Sequence, residues 1–180
     1  HAPSARLVFV KSIPSANRSD ALLMRIARLA QMISAWCDRP LIVLCLTGLL
    51  YGGYIVQRLE RYGGDVTGFI VAGERFIEPE QLDRPVITQG RDGYDGQFYY
   101  ALAMNPLPEI RTVRGVSIDT PAYRQQRILY PFLVWLLSLG GQPWLVAEMM
   151  VLVNWAALCW LGWLGAVYAR SLGRHALLGL

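Results

Sequence analysis

Pro40-Leu41-Ile42-Val43-Leu44-Cys45-Leu46 opens an uncharged run, PLIVLCLTGLLYGGYIVQ, that ends at Gln57. About 18 residues at about 1.5 Å each rise roughly 27 Å as a helix, enough to cross the hydrocarbon core of a bilayer. Arg58, Glu60 and Arg61 close the run on one side. On the other side Arg6, Lys11, Arg18, Arg25, Arg28 and Arg39 precede it, opposed only by Asp20 and Asp38. Basic flanks stay on the cytoplasmic side, so the N-terminus is expected inside and residue 58 outside.

The same bias marks the whole chain. Of its 180 residues 54% are hydrophobic and only 17% charged, with a mean hydropathy of +0.31. Soluble domains carry about a quarter charged residues. The deficit lies in 40–57, 128–141 and 144–169, and the remainder is ordinary polar sequence. The expected class is an all-α integral membrane protein, multi-pass, with two or three transmembrane helices and a long helical or irregular non-cytoplasmic loop. The net charge of +4 comes without an interleaved basic and aromatic stripe, so nucleic acid is not an expected partner. Cys37, Cys45 and Cys159 form neither a disulfide framework nor a zinc spacing.

Residues 1–18, with Pro3 and Pro14, read as a cytoplasmic tail rather than a signal peptide. In 20–36, Leu22, Ile26, Leu29, Ala30, Ile33 and Trp36 share one face at 100° per residue, with Ser19 as a cap. With the tail this makes 1–39 a cytoplasmic region ending in an amphipathic, interfacial helix. The chain opens on His1 and closes on Ala176-Leu177-Leu178-Gly179-Leu180, the beginning of a further apolar run, so a longer protein is expected.

Residues 58–127 form the outer loop. Asp65 can cap a helix from Val66, and Pro79 and Pro85 break the next stretch. Asp92-Gly93 and Asp95-Gly96 are turn dipeptides, 96–104 is an aromatic-rich helix ended by Asn105-Pro106, and Asp119-Thr120-Pro121 starts another. Residues 128–141 are apolar but rise only roughly 21 Å, less than a full crossing. They are a short transmembrane or a re-entrant helix. If they re-enter, Arg170, Arg174 and His175 after the 144–169 crossing fall inside, as the charge rule prefers. If they cross, a tilted bundle has to shelter them, and we take that three-crossing arrangement as the working expectation. Residues 170–180 begin the next segment.

No GxSxG, HExxH or P-loop is present, and His1 and His175 lie near the ends. The informative groups are loop acids and arginines in three stretches: Gly63-Gly64-Asp65, Asp92 to Tyr100, and Asp119 to Pro131. Singly, each has a plain explanation as a cap, a turn or a membrane-boundary arginine. Glu148 and Asn154 lie within the last apolar segment, where ionisable groups often serve function, although Glu148 is near enough to its start to reach the interface.

Taken together, GYDGQFYY (93–100) and DTPAYRQQRILYP (119–131), after one crossing and a basic N-terminus, resemble the beginning of a GT-C-type membrane glycosyltransferase. The pair is similar to a group of bacterial multi-pass mannosyltransferase-like proteins. Tyr94-Asp95-Gly96 also resembles, faintly, the Trp-Asp motif of the glycolipid-anchor mannosyltransferases. The resemblance implies transfer of a sugar from a polyprenyl-phosphate donor to a glycan or lipid acceptor, in the bacterial cell membrane. It implies an outer-loop acid as base: Asp95 first, Asp65 second, with Asp92 assisting or holding a divalent metal. Tyr94, Gln97, Tyr99, Arg124 and Arg127 become the expected substrate-binding residues, the arginines as two-pronged phosphate ligands. A transporter or flippase subunit, and a non-catalytic membrane assembly protein, are the rival readings.

Overall fold

The computed structural model describes residues 18–107 and 111–180. The expected tail, the Ser19 cap and the place of Trp36 on its helix face lie outside the described residues and side chains.

α1 (Arg18–Cys37) forms where the 3.6-residue period predicts it. Leu22, Ile26, Leu29 and Ile33 are each more than half exposed, so no described part of the chain covers this face. Asp38 and Arg39 break the helix. Pro40, whose missing N–H costs nothing in a first turn, opens α2 (Pro40–Arg61), with Arg58 and Arg61 in its last turn. Its partner is α6 (Pro143–Ser171). Both helices are long and apolar enough to cross a membrane, and only 11% and 22% of their most apolar windows are buried. A core helix of a water-soluble fold would be buried instead.

α2 and α6 run antiparallel. At one end Arg170 pairs with Asp38 (3.4 Å), and Asp38 accepts from the Ala176 N–H (2.8 Å). At mid-length the Trp155 indole donates to the Gly48 carbonyl (3.0 Å). Two turns on along α6, Gly162 lies so close to buried Thr47 that a Cβ there would sit 2.5 Å from the Thr47 hydroxyl. At the far end, Arg84 from the loop bonds Glu148 near the start of α6 and Asp65 just past α2.

Of the two or three crossings expected, the described residues hold two helices long enough to span a bilayer. Both ends of segment 128–141 lie at the loop end of the hairpin, and it folds as α5 (Leu129–Leu137), nine residues that rise only about 14 Å. Leu139, Gly140 and Gly141, all at positive φ, then turn the chain into α6.

Between the long helices the chain builds a small module around α3 (Gly96–Met104), where residues 97, 98 and 100–104 are buried. Ile70, Ile77, Val113, Val116, Ile118 and Val134 pack around it, and Val146, Ala147 and Met150 of α6 complete the core. Short 3-10 helices at Val66–Phe69, Glu74–Phe76 and Pro79–Gln81 wrap it. The Val66–Phe69 turn is capped by Asp65, which accepts from the Thr67 N–H (2.9 Å). A hairpin of β1 (Thr112–Val113) and β2 (Val116–Ser117) was not expected in this loop. Its two-residue turn puts Arg114 and Gly115 at φ +47° and +79°, the left-handed pair a tight hairpin requires. α4 (Pro121–Gln125) follows and carries Arg124.

Candidate functional site

Arg124 is the centre of the first site. Pro121 sets the first turn of α4, and this turns the Arg124 side chain inward, where it is nearly buried. Its Nε and Nη2 donate to the two oxygens of Asp119 (3.0 and 2.9 Å), a two-pronged pair. Its Nη1 meets Asp95 Oδ1 at 2.8 Å. The guanidinium lies 4.3 Å from the centre of the Phe98 ring, a cation–π contact. These carboxylates hold the Arg124 proton more tightly than in a free guanidinium, Asp119 most of all. In return, the hydrogen bond from Arg124 draws the Asp119 carboxyl below its usual range.

Asp95 stands at the N-cap of α3 with helical dihedrals, φ −56° and ψ −23°, and its side chain makes no cap hydrogen bond. The carboxylate is thus aimed by Arg124 and remains half-exposed. Tyr94 beside it is strongly exposed. The turn leading to Asp95 is tightly packed: Tyr94 N–H donates to the Val71 carbonyl (2.9 Å), and a Cβ at Gly93 would come within 2.5 Å of that oxygen.

Arg127 completes the exposed side. It reaches the Tyr99 hydroxyl (3.4 Å) and the Tyr123 hydroxyl (3.3 Å), and no described carboxylate pairs with it. Arg124 is occupied by two carboxylates and Arg127 by phenols alone, so Arg127 is the cation left for an incoming anion.

The remaining expected residues lie elsewhere. Gln97 corrects the sequence reading: it is buried, its carbonyl accepts from the Gly73 N–H (2.8 Å) and its amide donates to the Asp92 carbonyl (2.9 Å). It braces the turn, and its burial keeps it from a substrate. Asp92 faces Arg75 at 3.7 Å on an exposed surface. Among the described residues no three His, Cys, Asp or Glu gather, at Asp92 or elsewhere. Asp65 belongs to a second cluster, 3.6 Å from Arg84, whose Nη1 also bonds Glu148 (3.0 Å) and the Trp144 carbonyl (3.2 Å). Asn154 donates to the Tyr130 hydroxyl (3.0 Å). Burial pushes the hydroxyl of Tyr100, which lies near Arg84 and Glu148, up to about 12.

The sequence marks Asp119 as the head of the third informative stretch but gives it no role beyond starting a helix, and Arg84, which sits in no motif, is missed. Comparison of the chain with protein-family models, with curated proteins and with solved structures finds no match.

Proposed function

We propose that this chain is the loop-bearing part of a membrane glycosyltransferase of the GT-C type. In this reading α2 and α6 cross the bilayer, α1 lies on the inner leaflet, and the 58–142 module stands at the outer surface. The donor is a sugar on a polyprenyl phosphate and the acceptor a hydroxyl of a glycan or lipid.

The observation that carries the reading is Asp95: a half-exposed carboxylate, free of capping duty and aimed by an arginine that Asp119 and Phe98 fix. It takes the proton of the acceptor hydroxyl as that oxygen attacks the anomeric carbon. The bond from that carbon to the phosphate oxygen breaks, and the phosphate leaves toward Arg127. Tyr94 and Tyr123, both exposed, offer rings to a sugar face. A transport path would instead call for free polar groups inside the long helices, and Glu148 and Asn154 are both hydrogen-bonded.

Asp95→Asn keeps the shape and removes the base. Transfer from a polyprenyl-phosphate sugar, measured on the intact reconstituted protein, should fall roughly 10²–10⁴-fold. Asp65→Asn keeps an oxygen that can accept from the Thr67 N–H, since asparagine caps as well as aspartate, and should leave transfer nearly normal. An inactive Asp65→Asn beside a normal Asp95→Asn would move the base to Asp65. Full activity in both would end the enzyme reading of this loop.

A further inference from the structure

The second cluster crowns a groove between α2 and α6. The groove has a volume of about 660 Å³, within the usual range of ligand sites. Ile55, Val56, Val151, Leu152 and Trp155 make its walls, and Gly52 opens its floor. Ile55, Val151 and Trp155 also wall a neighbouring cavity of about 260 Å³. The charged groups at its mouth are Asp65, Arg84 and Glu148.

We propose that this groove binds a membrane phospholipid with a primary-ammonium headgroup, its acyl chain along Ile55, Val151 and Trp155 and its ammonium between Asp65 and Glu148. The charge count selects the headgroup. Two carboxylates face one guanidinium at the mouth, leaving one net negative charge where the ammonium end of a headgroup would sit. Arg84 spends Nη1 on Glu148 and the Trp144 carbonyl and faces Asp65 at 3.6 Å, so the donors it keeps serve the lipid's own phosphate, and the carboxylates are left for the ammonium beside it. The carboxylates together keep unfilled lone pairs, and an ammonium brings both the charge and the N–H donors that fill them. Apolar walls beneath a charged mouth are the shape of a lipid seen from its tail upward. The proposal rests on the bilayer placement above and not on sugar transfer.

Trp155 is a built-in reporter. The chain is reconstituted in phosphatidylcholine bilayers containing chain-brominated phosphatidylethanolamine, phosphatidylcholine or phosphatidylglycerol. Quenching lost on Trp155→Phe is the share of Trp155. That share should show the ethanolamine lipid bound about ten-fold more tightly than the choline lipid, the value of one hydrogen bond to a charged group. Glu148→Gln should abolish the preference. Gly52→Leu leaves the charges in place, fills the groove and should protect Trp155 from all three lipids; a Cβ at Gly52 meets only the Trp155 indole nitrogen, at 3.6 Å. Equal quenching by the three lipids, a preference for phosphatidylglycerol, or a preference that survives Glu148→Gln would overturn the proposal. So would a Trp155 that stays unquenched while the other tryptophans respond, since a protein segment would then fill the groove. If no tryptophan responds, the bilayer placement itself fails and the lipid site falls with it.

Discussion

Arg124 is held from four directions, by Asp95, Asp119, Phe98 and Tyr123. The pair it makes with Asp119 has a pH signature. The Asp119 carboxyl in the folded chain lies below its ordinary value of 3.8, chiefly through the Arg124 hydrogen bond. A lowered folded value means that the unfolded chain takes up the proton first. The stabilisation is therefore complete above the ordinary value and is lost as pH falls through the folded one. The unfolding midpoint of Asp119→Asn should lie below that of the unmodified chain near neutrality, and the gap should close as the pH falls through and below that ordinary value. A gap that ignores pH would show that Asp119 acts by shape alone. Asp119 stands five residues before Arg124, a spacing that matches neither i+3 nor i+4 on a helix face. The two meet because Asp119 lies ahead of the helix start, which a periodic pattern cannot register. Asp95 was legible for the opposite reason: its neighbours Tyr94 and Gly96 are local signals.

The contact between α2 and α6 is set by small residues. Gly162 faces Thr47, whose hydroxyl is turned back to the Val43 carbonyl (2.8 Å). Gly162→Ala should destabilise the helix pair by about 1–3 kcal/mol, the usual cost of overpacking. Thr47→Ala in the same chain should restore most of it, because it removes the atom in the way. Unfolding in micelles, followed by helical circular dichroism, measures both, and a harmless Gly162→Ala would mean that the helices do not approach this closely. Long elements were legible: runs 40–57 and 144–169 became Pro40–Arg61 and Pro143–Ser171. The β1–β2 hairpin was not, since strands of two residues carry no alternation to detect. Its cue was Arg114-Gly115 between Val113 and Val116, a weak relative of the Asn-Gly turn.

For the whole molecule, the antiparallel hairpin puts the Asp38–Arg170 end and the Asp65–Arg84–Glu148 end on opposite sides of any membrane it crosses. Cysteines introduced singly at Glu80 and Arg111, both exposed, should react with an impermeant reagent from outside, in a background lacking Cys37, Cys45 and Cys159. A cysteine at exposed Arg174 should react only after the membrane is opened. The reverse pattern would invert the placement, and all three reacting from one side would exclude a crossing hairpin. The number of long helices was the part of the architecture that hydropathy left open. Segment 128–141 is apolar on most sides, and its fate was decided by α3, which offers it a packing surface outside the hairpin.

The core around α3 is finished by Val146, Ala147 and Met150, which the ribosome makes after every residue of the outer module. With the placement proposed above, residues 58–142 cannot finish their core until α6, which follows them in the chain, is in place. Until then Phe98, Leu102 and Met104 lack their cover. Maturation of the outer module is thereby tied to insertion of α6. A chain cut short of Pro143 would lack Val146, Ala147 and Met150 and keep an unfinished core.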